Sequence, residues 1–250
     1  MVLSDRLEKI VEAVPECKCA ADIGCDHGYV SIELIKRNKA LNAIAADVNA
    51  GPLSTAEKNI RAEGLSDRIK TVLSDGLLNI EVPDCIIISG MGGRLMRDIL
   101  SFTPTGSGNA ASADKSLSSC RYLVLSPQSE PDIVRRFVTE AGFAITDETM
   151  VKDSGKFYVV MNCENRSFIT EKKLTEYESR EDFLYGRRLI EKRDGIFKEY
   201  IIRELEKKRV IISEIEKNNN SKKALNELSA LRKSVTELEN ILNVFETQKG

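Results

Sequence analysis

The sequence predicts an α/β fold: a seven-stranded sheet whose last strand is antiparallel, with helices on both faces, followed by an antiparallel helical hairpin or coiled coil. Three observations predict it. From residue 19 to residue 164, seven short apolar runs alternate with amphipathic stretches, the pattern of buried strands joined by crossover helices. The last two runs are joined by a loop holding Asp153, Ser154 and Gly155, too short for a helix, so they form an antiparallel pair. Beyond about residue 168 the runs cease, and apolar residues recur at helical spacing. The expected division is a strand-and-helix domain over 1–167 and a helical hairpin over 168–250.

The chain opens on an amphipathic helix within residues 1–14, with Ser4 suited to its N-cap and Leu7, Ile10, Val11 and Val14 on one face. Strands are expected at 19–23, 43–47, 69–74, 85–89, 122–126, 143–149 and 156–163, and helices at 29–37, 52–63, 93–100 and 131–141. Residues 103–119, rich in Gly, Ser and Ala, read as a surface loop with no chemistry assigned. In the C-terminal part, Leu225, Leu228, Leu231, Val235, Leu238, Leu242 and Phe245 form a heptad-like seam. A less regular helix runs upstream from Leu189 to Ile215, with Gly195 as a weak point, and a polar turn at 217–221 joins the two.

Composition narrows the function. With 42% hydrophobic and 30% charged residues the chain can bury a core. No apolar run approaches the roughly 18 residues of a membrane span, and charges interrupt the first helix where a signal peptide needs an apolar centre. A cytoplasmic protein is expected. Cys17, Cys19, Cys25 and His27 lie close in sequence, but their spacing is not that of a zinc knuckle, so free thiols and no metal are expected. His27 is the single histidine, which excludes any two-histidine site. Net charge is −2, yet residues 166–250 hold 19 Lys and Arg against 16 Asp and Glu, so the C-terminal part is mildly basic.

The chemistry is concentrated where strands end. Asp22 closes the first strand, and Gly24 and Gly28 follow it. This is not the G-x-G-x-x-G of dinucleotide sites; an acid in that place repels a pyrophosphate and suits an ammonium. Asp47, with Val48 and Asn49, closes the second strand, where a carboxylate can take two ribose hydroxyls. Asp75, with Gly76 and Leu77, closes the third: the acid can accept from an exocyclic amine while Leu77 packs a ring face. Gly90, Met91, Gly92 and Gly93 follow the fourth, and the side chains missing from the three glycines leave room for two ligands to meet. Ser126, Pro127 and Gln128 follow the fifth, where Gln128 could turn its amide to a base edge.

Residues 22–29 (D-I-G-C-D-H-G-Y), 46–53 (A-D-V-N-A-G-P-L), 74–77 (S-D-G-L) and 90–93 (G-M-G-G) together resemble the bacterial tRNA (adenine-N1)-methyltransferases that modify position 22. The resemblance covers most of the chain. It implies a Rossmann-like class I methyltransferase fold and transfer of a methyl group from S-adenosyl-L-methionine to N1 of adenosine in tRNA. It implies a cofactor site made of Asp22, Gly24, Gly28, Asp47, Val48, Asn49, Asp75, Gly76, Leu77, Gly90, Met91 and Gly92. Asp26, His27 and Gln128 are the implied catalytic residues. The family's strand-five motif is closer to Gln-Pro-Asn, so Gln128 keeps the amide and lengthens its reach. A basic hairpin would then grip the tRNA backbone, with Arg187, Arg188, Lys192, Arg193, Lys207, Lys208 and Arg209 as the leading phosphate contacts. The alternatives are a methyltransferase of the same fold acting on a small molecule or protein, and a non-catalytic RNA-binding scaffold.

Overall fold

The computed structural model describes residues 2–81, 83–101, 117, 119–170, 176–218 and 222–246. Nearly all of the Gly- and Ser-rich stretch at 103–119 lies outside them, as do residues 219–221 of the expected turn. The chain forms two compact units, residues 1–184 and 185–250.

The first unit is a seven-stranded sheet in the order β3-β2-β1-β4-β5-β7-β6. The strands are β1 Cys17–Ile23, β2 Ala40–Asp47, β3 Ile69–Leu73, β4 Cys85–Ser89, β5 Tyr122–Ser126, β6 Phe143–Asp153 and β7 Lys156–Asn165. The ladders among β1–β5 are parallel, and β7 runs antiparallel to both of its neighbours. The strand order reverses between β1 and β4, and ligands of open α/β sheets bind outside the carboxyl ends of strands at such a switch.

The strands are apolar along their whole length because both faces are covered: Ile86, Ile87 and Ile88 are all fully buried. Alternation sends Ala20, Ala43, Ala45, Cys85, Ile87 and Val124 to one face. Three helices pack there, α1 Asp5–Ala13, α2 Tyr29–Lys36 and α3 Ala50–Ala62. Helices α4 Gly93–Ser101 and α5 Pro131–Glu140 pack against each other, and their buried Met96, Leu100, Val134 and Val138 lie outside that cluster. Ser4 caps α1 as expected, accepting from the Leu7 backbone N–H at 3.4 Å.

Strand β6 extends four residues beyond its expected end because the hairpin stays paired up to its turn. Asp153 faces Lys156, and Ser154 and Gly155 both have positive φ, 50° and 74°, the two-residue turn that matches strand twist.

In the second unit, α6 Arg187–Lys192 stops at Arg193, which is left-handed (φ 54°). The next residue, Asp194, caps α7 Gly195–Asn218 by accepting from the Phe197 N–H at 2.7 Å. The break in the expected long helix therefore lies at Arg193–Asp194, and Gly195 starts the new helix. Helix α8 spans Lys222–Glu246. Phe197 meets Phe245, Arg209 pairs with Glu239 and Glu216 pairs with Arg232. The start of α7 therefore faces the end of α8, an antiparallel pair. Its seam differs from the expected one: Leu228, Leu238 and Ile241 are buried, whereas Leu225 is exposed.

Candidate active site

A cavity of about 520 Å³ opens at the carboxyl ends of the central strands. After β1 the backbone turns sharply, and the Gly24 and Cys25 N–H groups donate to the Ala46 carbonyl at 2.8 and 3.0 Å. Gly24 has φ +77°, and a Cβ on it would lie 2.3 Å from Met91 Cε. The Met91 methyl can swing aside, so it is the left-handed backbone here that favours glycine. Asp26 is also left-handed (φ 46°), one of the few residue types that tolerates this. Its side chain, 70% exposed, stands at the cavity mouth with Oδ2 3.5 Å from His27 Nε2. The His27 ring stacks on Tyr29, with centroids 5.2 Å apart, and Asn59 Nδ2 donates to the His27 carbonyl at 2.9 Å.

Asp47 at the end of β2 is buried and accepts from the Asn49 N–H at 2.8 Å. The Ser74 N–H donates to the Asp47 carbonyl at 2.9 Å, tying the end of β3 to that of β2. The Ser74 hydroxyl donates to the Gly76 carbonyl (2.9 Å) and accepts from the Asn79 N–H (3.1 Å). This tight turn presents Asp75 and Gly76 to the cavity and swings Leu77 inward. Leu77 is 0% exposed and belongs to the core, which corrects its expected place at a ring face. Leu95 and Ile99 of α4 form the apolar wall instead.

Beyond β4 and β5 the two chains continue side by side. Gln128 N–H donates to the Met91 carbonyl at 2.8 Å and Gly93 N–H to the Ser129 carbonyl at 2.9 Å. A Cβ on Gly93 would lie 2.3 Å from the Glu130 carbonyl oxygen, so close backbone packing requires this glycine. Gly90 and Met91 line the cavity. Gly92 and Gly93 face the Ser129–Glu130 backbone, which corrects the expectation that all three glycines clear space for ligands. Gly28 likewise lies outside the cavity lining and sets α2 against Ala56 of α3. The other expected positions, Asp22, Val48, Asn49 and Gln128 among them, do line it. So do Arg6, Tyr29, Leu95 and Ile99, which the sequence pattern does not single out. Arg6 and Ile99 lie on helices far in sequence from the strand ends they face, and no local pattern marks them.

Asp22 is 3% exposed. Burial pushes its carboxyl up to about 7; the Ser31 hydroxyl beside it relieves part of this, and the charge of Asp47 adds to it. No lysine or arginine among the described residues offsets the cost.

The sequence profile of the tRNA (adenine(22)-N(1))-methyltransferases matches residues 20–240. The chain belongs to this family. The Bacillus subtilis tRNA (adenine(22)-N(1))-methyltransferase is 33% identical over 164 residues, 65% of this chain and 65% of that protein, so the aligned stretch spans just under two thirds of that relative. Solved structures agree over nearly the whole chain. A Streptococcus pneumoniae candidate tRNA (m1A22) methyltransferase in complex with S-adenosyl-L-methionine superposes with a TM-score of 0.78 at 29% identity, covering 96% of this chain and 100% of that one. The Bacillus subtilis m1A22 tRNA methyltransferase superposes with a TM-score of 0.79 at 27% identity, covering 96% and 98%. The seven-stranded Rossmann-like sheet with its antiparallel β7 is thus the fold of this methyltransferase family.

The seven basic residues expected to contact tRNA lie on the second unit. Arg187 and Arg188 both bond Glu191, Lys207 bonds Glu204 and Arg209 bonds Glu239. Arg193 ends α6, and Lys192 and Lys208 lie on α6 and α7. Among the described residues no helix is long and apolar enough to cross a membrane.

Proposed function

We propose that this chain carries out the reaction for which its family is named, methylating N1 of adenosine 22 in tRNA with S-adenosyl-L-methionine, in the cytoplasm where tRNA is found. The observation that carries the reading is the set of acids around one cavity: Asp22, Asp47 and Asp75, each ending a successive strand, with Asp26 at the mouth. They fit the cofactor group by group. Asp22, costly to ionise in its buried place, is matched to an ammonium; Asp47 is matched to ribose hydroxyls and Asp75 to an exocyclic amine, with Leu95 and Ile99 against the ring. When bound, the sulfonium supplies an already activated methyl group.

The protein therefore needs no side-chain nucleophile, because N1 carries its own lone pair. Its work is positioning: holding the base in line at about 3–3.5 Å and excluding water can supply roughly 7–11 kcal/mol of the barrier. N1 lies on the pairing edge, so the base must leave any helix first. Positive charge develops on the ring as the bond forms, and the Asp26 carboxylate at the mouth stabilises it. His27, braced on Tyr29, orients Asp26 or the incoming tRNA, and the Gln128 amide meets the base edge. The basic residues of α6 and α7 hold the tRNA backbone.

The test is direct. Purified protein, S-adenosyl-L-methionine and a tRNA transcript should yield 1-methyladenosine by mass spectrometry of nuclease digests, and a transcript with guanosine at position 22 should yield none. Asp26→Asn should lower turnover while cofactor affinity stays within a few-fold. Equal product from both transcripts would refute the position, and normal turnover in Asp26→Asn with a collapse of cofactor affinity would make Asp26 a binding residue.

A further inference from the structure

We infer that Arg6 is the carboxylate-binding residue of the cavity, pairing with the carboxylate of the cofactor's methionine end while Asp22 takes the ammonium. The inference rests on the reading of the cavity as the cofactor site. Among the described residues lining the cavity, Arg6 is the sole lysine or arginine, in a lining that also holds Asp22, Asp26, Asp47 and Asp75. Its Nη1 is buried and has no hydrogen-bond partner among the described residues. A buried guanidinium N–H without an acceptor is costly, and a carboxylate is the strongest acceptor that could relieve it.

The guanidinium is held in place from below. The Ser4 hydroxyl and the Arg6 backbone N–H both bond the Asp153 carboxylate, holding that carboxyl below its usual range and fastening the start of α1 to the β6–β7 turn. The guanidinium carbon lies 5.0 Å from the centroid of the Tyr158 ring. Nη1 lies 3.7 Å from where a Gly90 Cβ would stand, and Gln128 Nε2 lies 3.8 Å from the same point. An oxygen acceptor over Gly90 therefore meets donors from two sides. Asp22 lacks a cation, and Arg6 Nη1 lacks an acceptor although the Asp153 carboxylate lies near the guanidinium; an α-amino acid supplies an ammonium for the one and a carboxylate for the other. A phosphodiester of the tRNA would also satisfy Arg6, and the test separates the two sources.

The probe is decarboxylated S-adenosylmethionine, which keeps the adenosine, sulfonium and ammonium and lacks only the carboxylate. By calorimetry, the wild-type protein should bind it roughly 10- to 100-fold more weakly than S-adenosylmethionine. Arg6→Ala should weaken S-adenosylmethionine by a similar factor and leave the decarboxylated compound within about twofold, so the preference collapses. Arg6→Lys, which keeps the charge and the stem, should restore part of it, and it carries the test if Arg6→Ala melts early. An unchanged preference in these variants overturns the inference, and an unchanged preference with weakened tRNA binding assigns Arg6 to a phosphate. Failure of the wild-type protein to bind either compound would instead overturn the cofactor reading of the cavity, and this inference with it.

Discussion

Glu148 and Asp22 are both buried acids of the first unit, and they are buried on opposite terms. Glu148, on β6, is 0% exposed; its Oε1 accepts from Arg135 Nε at 2.7 Å and its Oε2 from the Tyr177 hydroxyl at 2.5 Å. Arg135 in turn donates to the Phe183 and Leu184 carbonyls at 2.8 and 3.1 Å. Asp22 has no such cation, and burial leaves its carboxyl near 7. The two arginines divide in the same way: Arg135 is surrounded by acceptors, whereas Arg6 Nη1 has none among the described residues. Burial alone therefore does not mark a functional charge. A buried ion completed by its own fold is structural, and one left incomplete beside a cavity points to a ligand.

Removing one acid from each region should give opposite results. Glu148→Ala strands the Arg135 charge in the interior and should cost about 3–5 kcal/mol of stability. Asp22→Asn should leave the ligand-free protein at least as stable at pH 8. A carboxyl raised from 3.8 to about 7 in the fold opposes folding increasingly as pH rises through that window, and the amide removes that cost. Urea denaturation of both variants checks this; a large loss in Asp22→Asn together with a small one in Glu148→Ala would invert the assignment.

Smaller effects are expected where an acid makes one ligand contact at a time. Asp47→Ala and Asp75→Ala should each weaken S-adenosylmethionine binding by roughly 1.5–3 kcal/mol, the worth of a hydrogen bond to a charged acceptor. Unchanged calorimetric affinity in both would remove the cofactor from these strand ends.

Asp22, Asp47 and Asp75 were legible in the sequence because each ends an apolar run, and in a parallel sheet all such ends open on one side. The alternation of runs likewise made the sheet and its antiparallel strand legible. Leu77 is not legible in this way, because sequence proximity to Asp75 says nothing about direction; the Ser74 hydroxyl closes a turn that rotates Leu77 into the core. The Arg135–Glu148–Tyr177 knot was invisible for a different reason. A lone arginine on a helix and a lone glutamate on a strand read as a solvated face until tertiary structure brings them together. Arg6 was hidden in the same way, within an amphipathic helix with no glycine or strand end to mark it.

The raised Asp22 carboxyl also makes cofactor binding depend on pH. If Asp22 meets the ammonium only when ionised, and its carboxyl stands at about 7 in the free protein, a bound cation must lower that value. Binding then releases a proton below about pH 7. Affinity should be nearly level above that pH and fall by up to tenfold per unit beneath it, until the bound-state value is reached. Asp22→Asn should bind more weakly at pH 8 and lose this slope. A wild-type affinity that is level from pH 5.5 to 8 would show that Asp22 does not change its ionisation on binding.

The smallest single effects are expected on the second unit, where charges are exposed or half-buried and paired with neighbours. Arg187 and Arg188 share Glu191, Lys207 bonds Glu204, and Arg209 bonds Glu239 across the helix pair. The exposed pairs of Lys207 and Arg209 contribute only about 0–1 kcal/mol each, so they cost little to exchange for phosphate oxygens. This is the reverse of Arg135, whose partners are fixed. Removing one cation that binds a tRNA phosphate should reduce the log–log salt dependence of tRNA binding by about one unit. Reversing Lys207 and Lys208 together should therefore flatten the slope by up to two units while leaving S-adenosylmethionine affinity untouched, and Arg187 with Arg188 should behave alike. Reversal also places two acids beside Glu204 or Glu191, so melting temperatures must be compared first. Slopes indistinguishable from wild type in both pairs would mean that the first unit alone holds the tRNA, and would leave the antiparallel helices a structural or dimer-forming role.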